Sequence, residues 1–199
     1  MDALLIDVPE QIATQRLVLR CPHPGDGLAL NEAVCESIDE LRRWMPWAQS
    51  APAVEESEAV CRRMQGLFRL RQDLPMFIFE RGEAGAPGRL LGGTGLHRIR
   101  WDVRSFEVGY WCRRGETGRG LVSEAVQAIS RMAFDTLSAR RVEIRMDERH
   151  ARSRRVAERC GFTLEGVLRR DALTPQGEPR NTCVYARVRG VEETDPLTL

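Results

Sequence analysis

The stretch Thr117-Gly118-Arg119-Gly120-Leu121-Val122-Ser123-Glu124-Ala125 constrains this chain more than any other. Two glycines one residue apart open a run in which Val122, Ala125, Val126, Ile129, Met132 and Ala133 recur at helical spacing, from about 119 to 135. Just upstream, Phe106-Glu107-Val108-Gly109-Tyr110-Trp111 reads as a strand. Downstream, Arg141-Val142-Glu143-Ile144-Arg145-Met146 alternates with period two. A strand–helix–strand crossover of this length makes a parallel pair. The turn is also an anion site by construction: glycines let backbone N–H groups face a ligand, and the helix dipole favours negative charge there. A lone G-x-G occurs in many turns; its place between strand and helix gives it weight.

The rest of the chain fits around that unit. Arg16-Leu17-Val18-Leu19-Arg20 alternates as a first strand, and Asp26 is placed to cap a helix through Leu28, Leu30 and Val34. Ser37 to Met45 reads as a second, short helix ended by Pro46. A polar loop at 48–53 leads to a helix at about 54 to 72, with Glu55 and Glu56 in its first turn and Arg69 and Arg71 in its last. Met76-Phe77-Ile78-Phe79 is a buried strand. Leu90, Leu91 and Leu96 belong to the next, which Gly92, Gly93 and Gly95 weaken or bulge. A helix at about 151 to 160 ends at Gly161, and strands at 162–164 and 183–188 close the chain. The expected class is α+β, with a single mixed sheet of about six or seven strands and about four or five helices.

Composition narrows the function. The 199 residues suit one domain. The net charge of +1 argues against a general nucleic-acid binder. All 30 basic residues are arginine, so the chain offers no lysine amine. Six scattered cysteines form no C-x-x-C pair, and the N-terminus carries no secretory pattern. No stretch approaches the ~18 apolar residues of a membrane span. Free thiols in the cytoplasm are expected, with neither a metal site nor a membrane partner. Gly118-x-Gly120 lacks the Lys-Ser/Thr of a P-loop and the third glycine of a dinucleotide fingerprint.

Four segments, in order, resemble the GNAT acyltransferase superfamily and, more narrowly, its RimJ/RimL type, the ribosomal-protein N-terminal acetyltransferases. They are Thr14 to Arg20, Glu107 to Trp111, Gly118 to Ala125, and Ser153 to Gly166. The resemblance covers residues 14 to about 188. It implies a single domain whose sheet splays at an acetyl-CoA site, an amine acceptor such as a protein N-terminus or a small amine, and no direct nucleic-acid binding. A homodimer is compatible with base rates for soluble proteins. Two positions depart from the family. Gly115 stands where Gln or Arg is common, and His150 where Asn usually contacts the pantetheine arm.

By the same resemblance, pantetheine would run along the strand near Tyr110, Trp111 and Cys112. The pyrophosphate would rest on backbone from Gly115 through Thr117, Gly118, Arg119 and Gly120 to Leu121. Arg113, Arg114, Arg119, Arg152, Arg154 and Arg155 are candidates to meet the phosphates, because arginine suits bidentate phosphate contact. Ser153 matches a serine that can protonate or anchor the leaving thiolate; the alternative is a helix-start residue bonded to backbone. Glu107 is a candidate base, through a pKa raised by burial, or else a carboxylate paired with an arginine such as Arg104. His97 is its rival. The region 37–72, with Trp44, Met45, Pro46, Trp47, Glu55, Glu56 and Glu58, would form the acceptor wall. A non-catalytic acyl-CoA-binding module and an antibiotic- or toxin-modifying acetyltransferase remain alternative readings.

Overall fold

The alternating and apolar runs become strands of one mixed sheet in the computed structural model, which describes residues 2–193. In chain order the elements are β1 (Gln11–Ala13), β2 (Leu17–Arg20), α1 (Gly27–Trp44), α2 (Val54–Arg69), β3 (Leu74–Arg81), β4 (Pro87–Arg100), β5 (Ser105–Cys112), α3 (Leu121–Asp135), β6 (Arg141–Asp147), α4 (Ala151–Arg159), β7 (Thr163–Leu173) and β8 (Pro179–Val188). The strands lie in the order β1-β2-β3-β4-β5-β6-β8-β7. Only β5 and β6 run parallel, joined through α3 as the crossover spacing requires. The class is α+β as expected, with eight strands rather than six or seven. The additional one is β1, three residues paired with β2 and too short to display a period.

Both faces of the sheet are covered. Leu17, Leu19, Met76, Ile78, Phe106 and Val108 pack on Ala125, Val126, Ile129 and Ala133 of α3. Val18, Phe77, Phe79 and Leu90 pack on Leu30, Ala33, Val34 and Leu41 of α1 and Cys61 of α2. Period-two alternation thus divides neighbouring residues of one strand between two cores.

Two local expectations fail for physical reasons. The helices expected before and after residue 36 are one continuous α1. Ser37 does not break it, because its hydroxyl donates to the Ala33 carbonyl one turn back at 2.7 Å. Asp26 does not cap α1. Its carboxylate accepts from the Arg20 guanidinium at 2.8 and 3.0 Å and from the His23 amide at 2.7 Å. The cap comes from α2, where the Glu58 carboxylate accepts the Gly25 and Gly27 amides at 3.0–3.2 Å.

The β5–β6 ladder is short. It pairs Ser105 with Arg141, Phe106 with Val142 and Glu107 with Glu143, and then stops. Beyond that point β5 stays on β4 as far as Cys112, and β6 stays on β8 as far as Asp147. Each strand keeps one neighbour and loses the other, so the sheet opens between them. Phe106 anchors the last joined stretch, fully buried and edge-on to Trp101 at 5.3 Å between ring centroids. Phe106→Ala should therefore cost about 3–5 kcal/mol, read as a lower midpoint in denaturant unfolding.

Candidate active site

Backbone alternation decides what lines the opening. On β5 the Arg113 amide donates to the Leu91 carbonyl at 2.7 Å, and the Gly109 carbonyl accepts from the Thr94 hydroxyl at 2.9 Å. Positions 109 and 113 therefore face β4. Their alternates, Val108, Tyr110 and Cys112, turn their backbone groups toward the gap. An extended ligand could add to such an edge as a strand would.

Side chains of Tyr110 and Ser153 bridge the gap. The Tyr110 hydroxyl lies 2.8 Å from the Ser153 hydroxyl and donates to the Ser153 carbonyl at 3.2 Å. Burial pushes the Tyr110 phenol well above its ordinary range, so it stays protonated near neutrality. Ser153 sits in the first turn of α4, but its hydroxyl serves Tyr110 rather than the helix backbone. The backbone role falls to His150, whose Nδ1 accepts from the Ser153 amide at 3.3 Å. Burial lowers the His150 pKa, which agrees with an accepting, neutral ring. His150 also stacks on Trp44 at 4.0 Å, and Trp47 meets Trp111 edge-on at 6.1 Å. The Gln176 side chain donates to the Arg42 carbonyl at 2.9 Å, fastening the β7–β8 turn to the end of α1.

The loop before α3 is shaped for an anion. Gly118 and Gly120 have φ of 81° and 77°, a left-handed geometry that favours glycine. No side chain caps the first turn of α3, so its leading amides stay available. Thr117 is exposed, its hydroxyl on the Arg114 carbonyl at 3.3 Å, and Gly115 is exposed as well. The Glu124 carboxylate ties the loop to the N-terminal strands. It accepts from the Thr14 hydroxyl at 2.6 Å and from the Arg16 amide and guanidinium at 2.9 and 2.7 Å, while Arg16 also donates to the Arg119 carbonyl.

The arginines expected at the phosphates divide into two groups. Arg113 is buried against Glu36 at 2.6 Å, Arg114 pairs with Glu40 at 3.2 Å, and Arg119 pairs with Glu116. Arg89 links Glu116 at 3.0 Å to Glu36 at 3.6 Å. Reading along the chain missed these partners because Glu36 and Glu40 arrive from α1, some seventy residues earlier. Arg154 reaches the Tyr185 hydroxyl at 3.3 Å. Arg152 and Arg155 project from α4, exposed and without an ion-pair partner among the described residues.

Glu107 faces the root of the opening, opposite His97 on β4 and Glu143 on β6. Its Oε2 is buried without a hydrogen bond. The nearest cation is the exposed Arg98 at 3.5 Å, not Arg104. Burial raises its pKa; Arg98 opposes the rise and Glu143 adds to it. On the acceptor wall, Glu56 receives the Ala53 amide at 2.8 Å and Glu58 is committed to α1, so neither stands free to draw a cation. Burial pushes the Cys112 thiol up to about 11, leaving no thiolate beside the opening.

The family profile described as "Acetyltransferase (GNAT) domain" matches residues 16–163. The ribosomal-protein-serine acetyltransferase of Escherichia coli is 29% identical over 143 residues, 70% of this chain and 75% of its own. Among solved structures, the ribosomal α-N-protein acetyltransferase RimL in complex with coenzyme A aligns with a TM-score of 0.82 at 23% identity. The alignment covers 90% of this chain and 98% of that one. The microcin self-immunity acetyltransferase MccE, in complex with acetyl-CoA and AMP, aligns with a TM-score of 0.82 at 21% identity, covering 92% and 98%. At these identities the structures establish a shared fold.

The two arginine groups should separate in stability measurements. Arg113→Ala leaves Glu36 without its closest partner and should cost about 1–3 kcal/mol. Arg155→Ala should stay within about 0.5 kcal/mol. Denaturant unfolding of both variants checks the contrast.

Proposed function

The chain belongs to the GNAT acetyltransferase family, and from that premise we propose that it transfers the acetyl group of acetyl-CoA directly to a primary amine in a ternary complex. The acceptor is a protein N-terminal α-amine of the ribosomal-protein type, or a small amine. One observation carries the reading: the freed edge of β5 runs between a protonated hydroxyl pair, Tyr110 and Ser153, and a half-buried carboxylate, Glu107, whose Oε2 makes no hydrogen bond and has only Arg98 nearby at 3.5 Å.

The residues present fit the cosubstrate. Backbone of Val108, Tyr110 and Cys112 offers a strand edge for pantetheine, with Trp111 and His150 beside it. The turn from Gly115 to Leu121 offers a cradle for the pyrophosphate: the amides of Gly115, Glu116 and Thr117 are held within the protein, those from Gly118 to Leu121 face outward for a ligand, and Arg155 is a candidate to meet it. Arg113, Arg114 and Arg119 hold that cradle through Glu36, Glu40 and Glu116. Bound acetyl-CoA supplies the activated thioester.

The chain's own groups then divide the work. An amide of β5 near Val108 to Tyr110 polarises the carbonyl, a contribution typically worth ~10²–10³ in rate. Glu107 holds the incoming amine and takes its proton as the C–N bond forms. Ser153, backed by Tyr110, gives a proton to the departing sulfur as the C–S bond breaks. A protonated Cys112 favours this single transfer over a cysteine-bound route. An α-amine costs ~1.2 kcal/mol to deprotonate at pH 7, against ~4.6 for a lysine amine, so a single carboxylate suits the former. All described strands join one sheet, which supports reading the chain as one domain. A cytoplasmic setting goes with a ribosomal acceptor.

Thermal unfolding with acetyl-CoA beside equal ATP, followed by thiol release with a free-N-terminal peptide, tests the reading. Selective stabilisation that grows with acetyl-CoA concentration is expected, together with steady turnover. Stabilisation without turnover would instead indicate a binding module. Ser153→Ala should slow turnover with acetyl-CoA affinity nearly intact; an unchanged rate sinks its role. Glu107 must be ionised to accept a proton, and its pKa is raised. Activity should therefore fall as pH drops through a value above the ordinary ~4.3 of a glutamate, and Glu107→Gln should remove that limb of the kcat profile.

A further inference from the structure

Asp73 and His97 form a pair that the reaction above does not use. Asp73 stands in the turn between α2 and β3, and His97 on β4. The imidazole Nδ1 lies 2.8 and 3.0 Å from the two Asp73 oxygens. An ionised carboxylate only accepts, so Nδ1 carries the hydrogen and Nε2 of the neutral ring keeps its lone pair.

The far edge of the ring rests on glycine. A Cβ at Gly95 would come within 2.8 Å of Nε2, and one at Gly109 within 3.0 Å. Those two positions are paired across β4 and β5, so the sheet is bare where the ring lies. Gly109 is two residues from Glu107 on the same face of β5, and Glu107 is directly opposite His97. Nε2 therefore lies over the Gly95–Gly109 pair, on the same face as Glu107 and two residues further along β5. Opposite residues on one face have Cβ atoms ~5 Å apart, a separation that one water can bridge between two such side chains. The ring is also 34% exposed, so it has its own path to solvent. The charged groups around it are Asp73 from the turn, Glu107 from β5, and beyond Glu107, Arg98 of β4 with Glu143 and Arg145 of β6.

We propose that His97, held by Asp73, takes the acceptor's proton on from Glu107 and releases it to water. The step rests on the acetyl-transfer reading. The O–H bond of protonated Glu107 breaks as its proton passes to a bridging water, which gives one of its own protons to Nε2 and so remains water. The imidazolium keeps its Nδ1–H on Asp73 and gives the Nε2 proton to solvent. Glu107 is ionised and the ring neutral again, so the site is reset with one proton discharged per acetyl group moved. Asp73 is a positioning residue: it fixes which nitrogen accepts.

The chain has three histidines, so imidazole ¹⁵N NMR of the full-length protein can resolve the ring, assigned with a His97→Gln variant. An Nδ1–H tautomer is expected in the wild type, and Asp73→Ala should abolish it. In turnover with acetyl-CoA and a peptide bearing a free N-terminal serine, His97→Ala should lower kcat roughly 10²-fold with KM for acetyl-CoA unchanged. Free imidazole should restore the rate saturably, because deletion leaves a ring-sized space open to solvent; a structural role would not respond. Asp73→Ala should lower kcat without changing that KM. Wild-type turnover with no imidazole rescue, or an Nε2–H tautomer in the wild type, overturns the step alone. Absence of wild-type thiol release overturns the transfer reading and this step with it.

Discussion

The parting of β5 from β6 after Glu107 and Glu143 is the constraint on which the rest of the site depends. Three residue pairs join the strands, and each then follows its outer antiparallel neighbour. A right-handed twist accumulates across any sheet, and here two separate ladders carry it in diverging directions. The opening therefore needs no special residue at its root. It needs strong partners on either side, which β4 and β8 supply. The same divergence leaves peptide groups of β5 unpaired beside the fold's interior, which is costly unless something satisfies them. A fold that leaves such an edge is one built to receive an extended partner.

Across this opening the chemistry is sorted by face. Tyr110 belongs to the face covered by α3, where burial keeps its phenol protonated and joined to Ser153. Glu107, Gly109 and His97 belong to the other face. Period two along a single strand thus places the Tyr110–Ser153 hydroxyls on one face and the Glu107 and His97 side chains on the other. Glu107 and Tyr110, three residues apart on β5, therefore lie on opposite faces of the sheet.

The outline of this arrangement was legible in the sequence because it rests on local signals. The glycines at 118 and 120, the amphipathic stripe of α3 and the alternation at 141–146 specify the crossover within forty residues. Legibility ended where long-range partners decide. Asp26 looked like a helix cap, but a guanidinium on β2 outcompetes the helix amides for its carboxylate, and Glu58 from α2 takes over the cap. Arg113 and Arg114 looked available to a ligand until α1 brought Glu36 and Glu40 beside them. Ser37 looked like a boundary because its type favours helix ends, yet its hydroxyl folds back on the helix. Asp73, which orients His97, belongs to no pattern along the chain at all. For Arg113, Arg114, His97 and the cap of α1 the deciding partner lies far away in sequence, whereas for Asp26 and Ser37 a near neighbour wins the side chain from its usual role.

The ion-paired loop carries a consequence for how tightly a ligand can be held. Glu36, Glu40 and Glu116 fix Arg113 and Arg114 just before Gly115 and Arg119 within the loop, and Glu124 ties the following helix to the first strands. The cradle takes its shape when the chain folds rather than when an anion arrives. Preorganisation of this kind removes most of the ordering entropy that association would otherwise incur. It also means that the positive potential at the cradle comes chiefly from oriented peptide dipoles rather than from free side-chain charges. An anion on such a loop would be held by geometry, and ionic strength screens fixed short-range dipoles far less than it screens distant mobile charges.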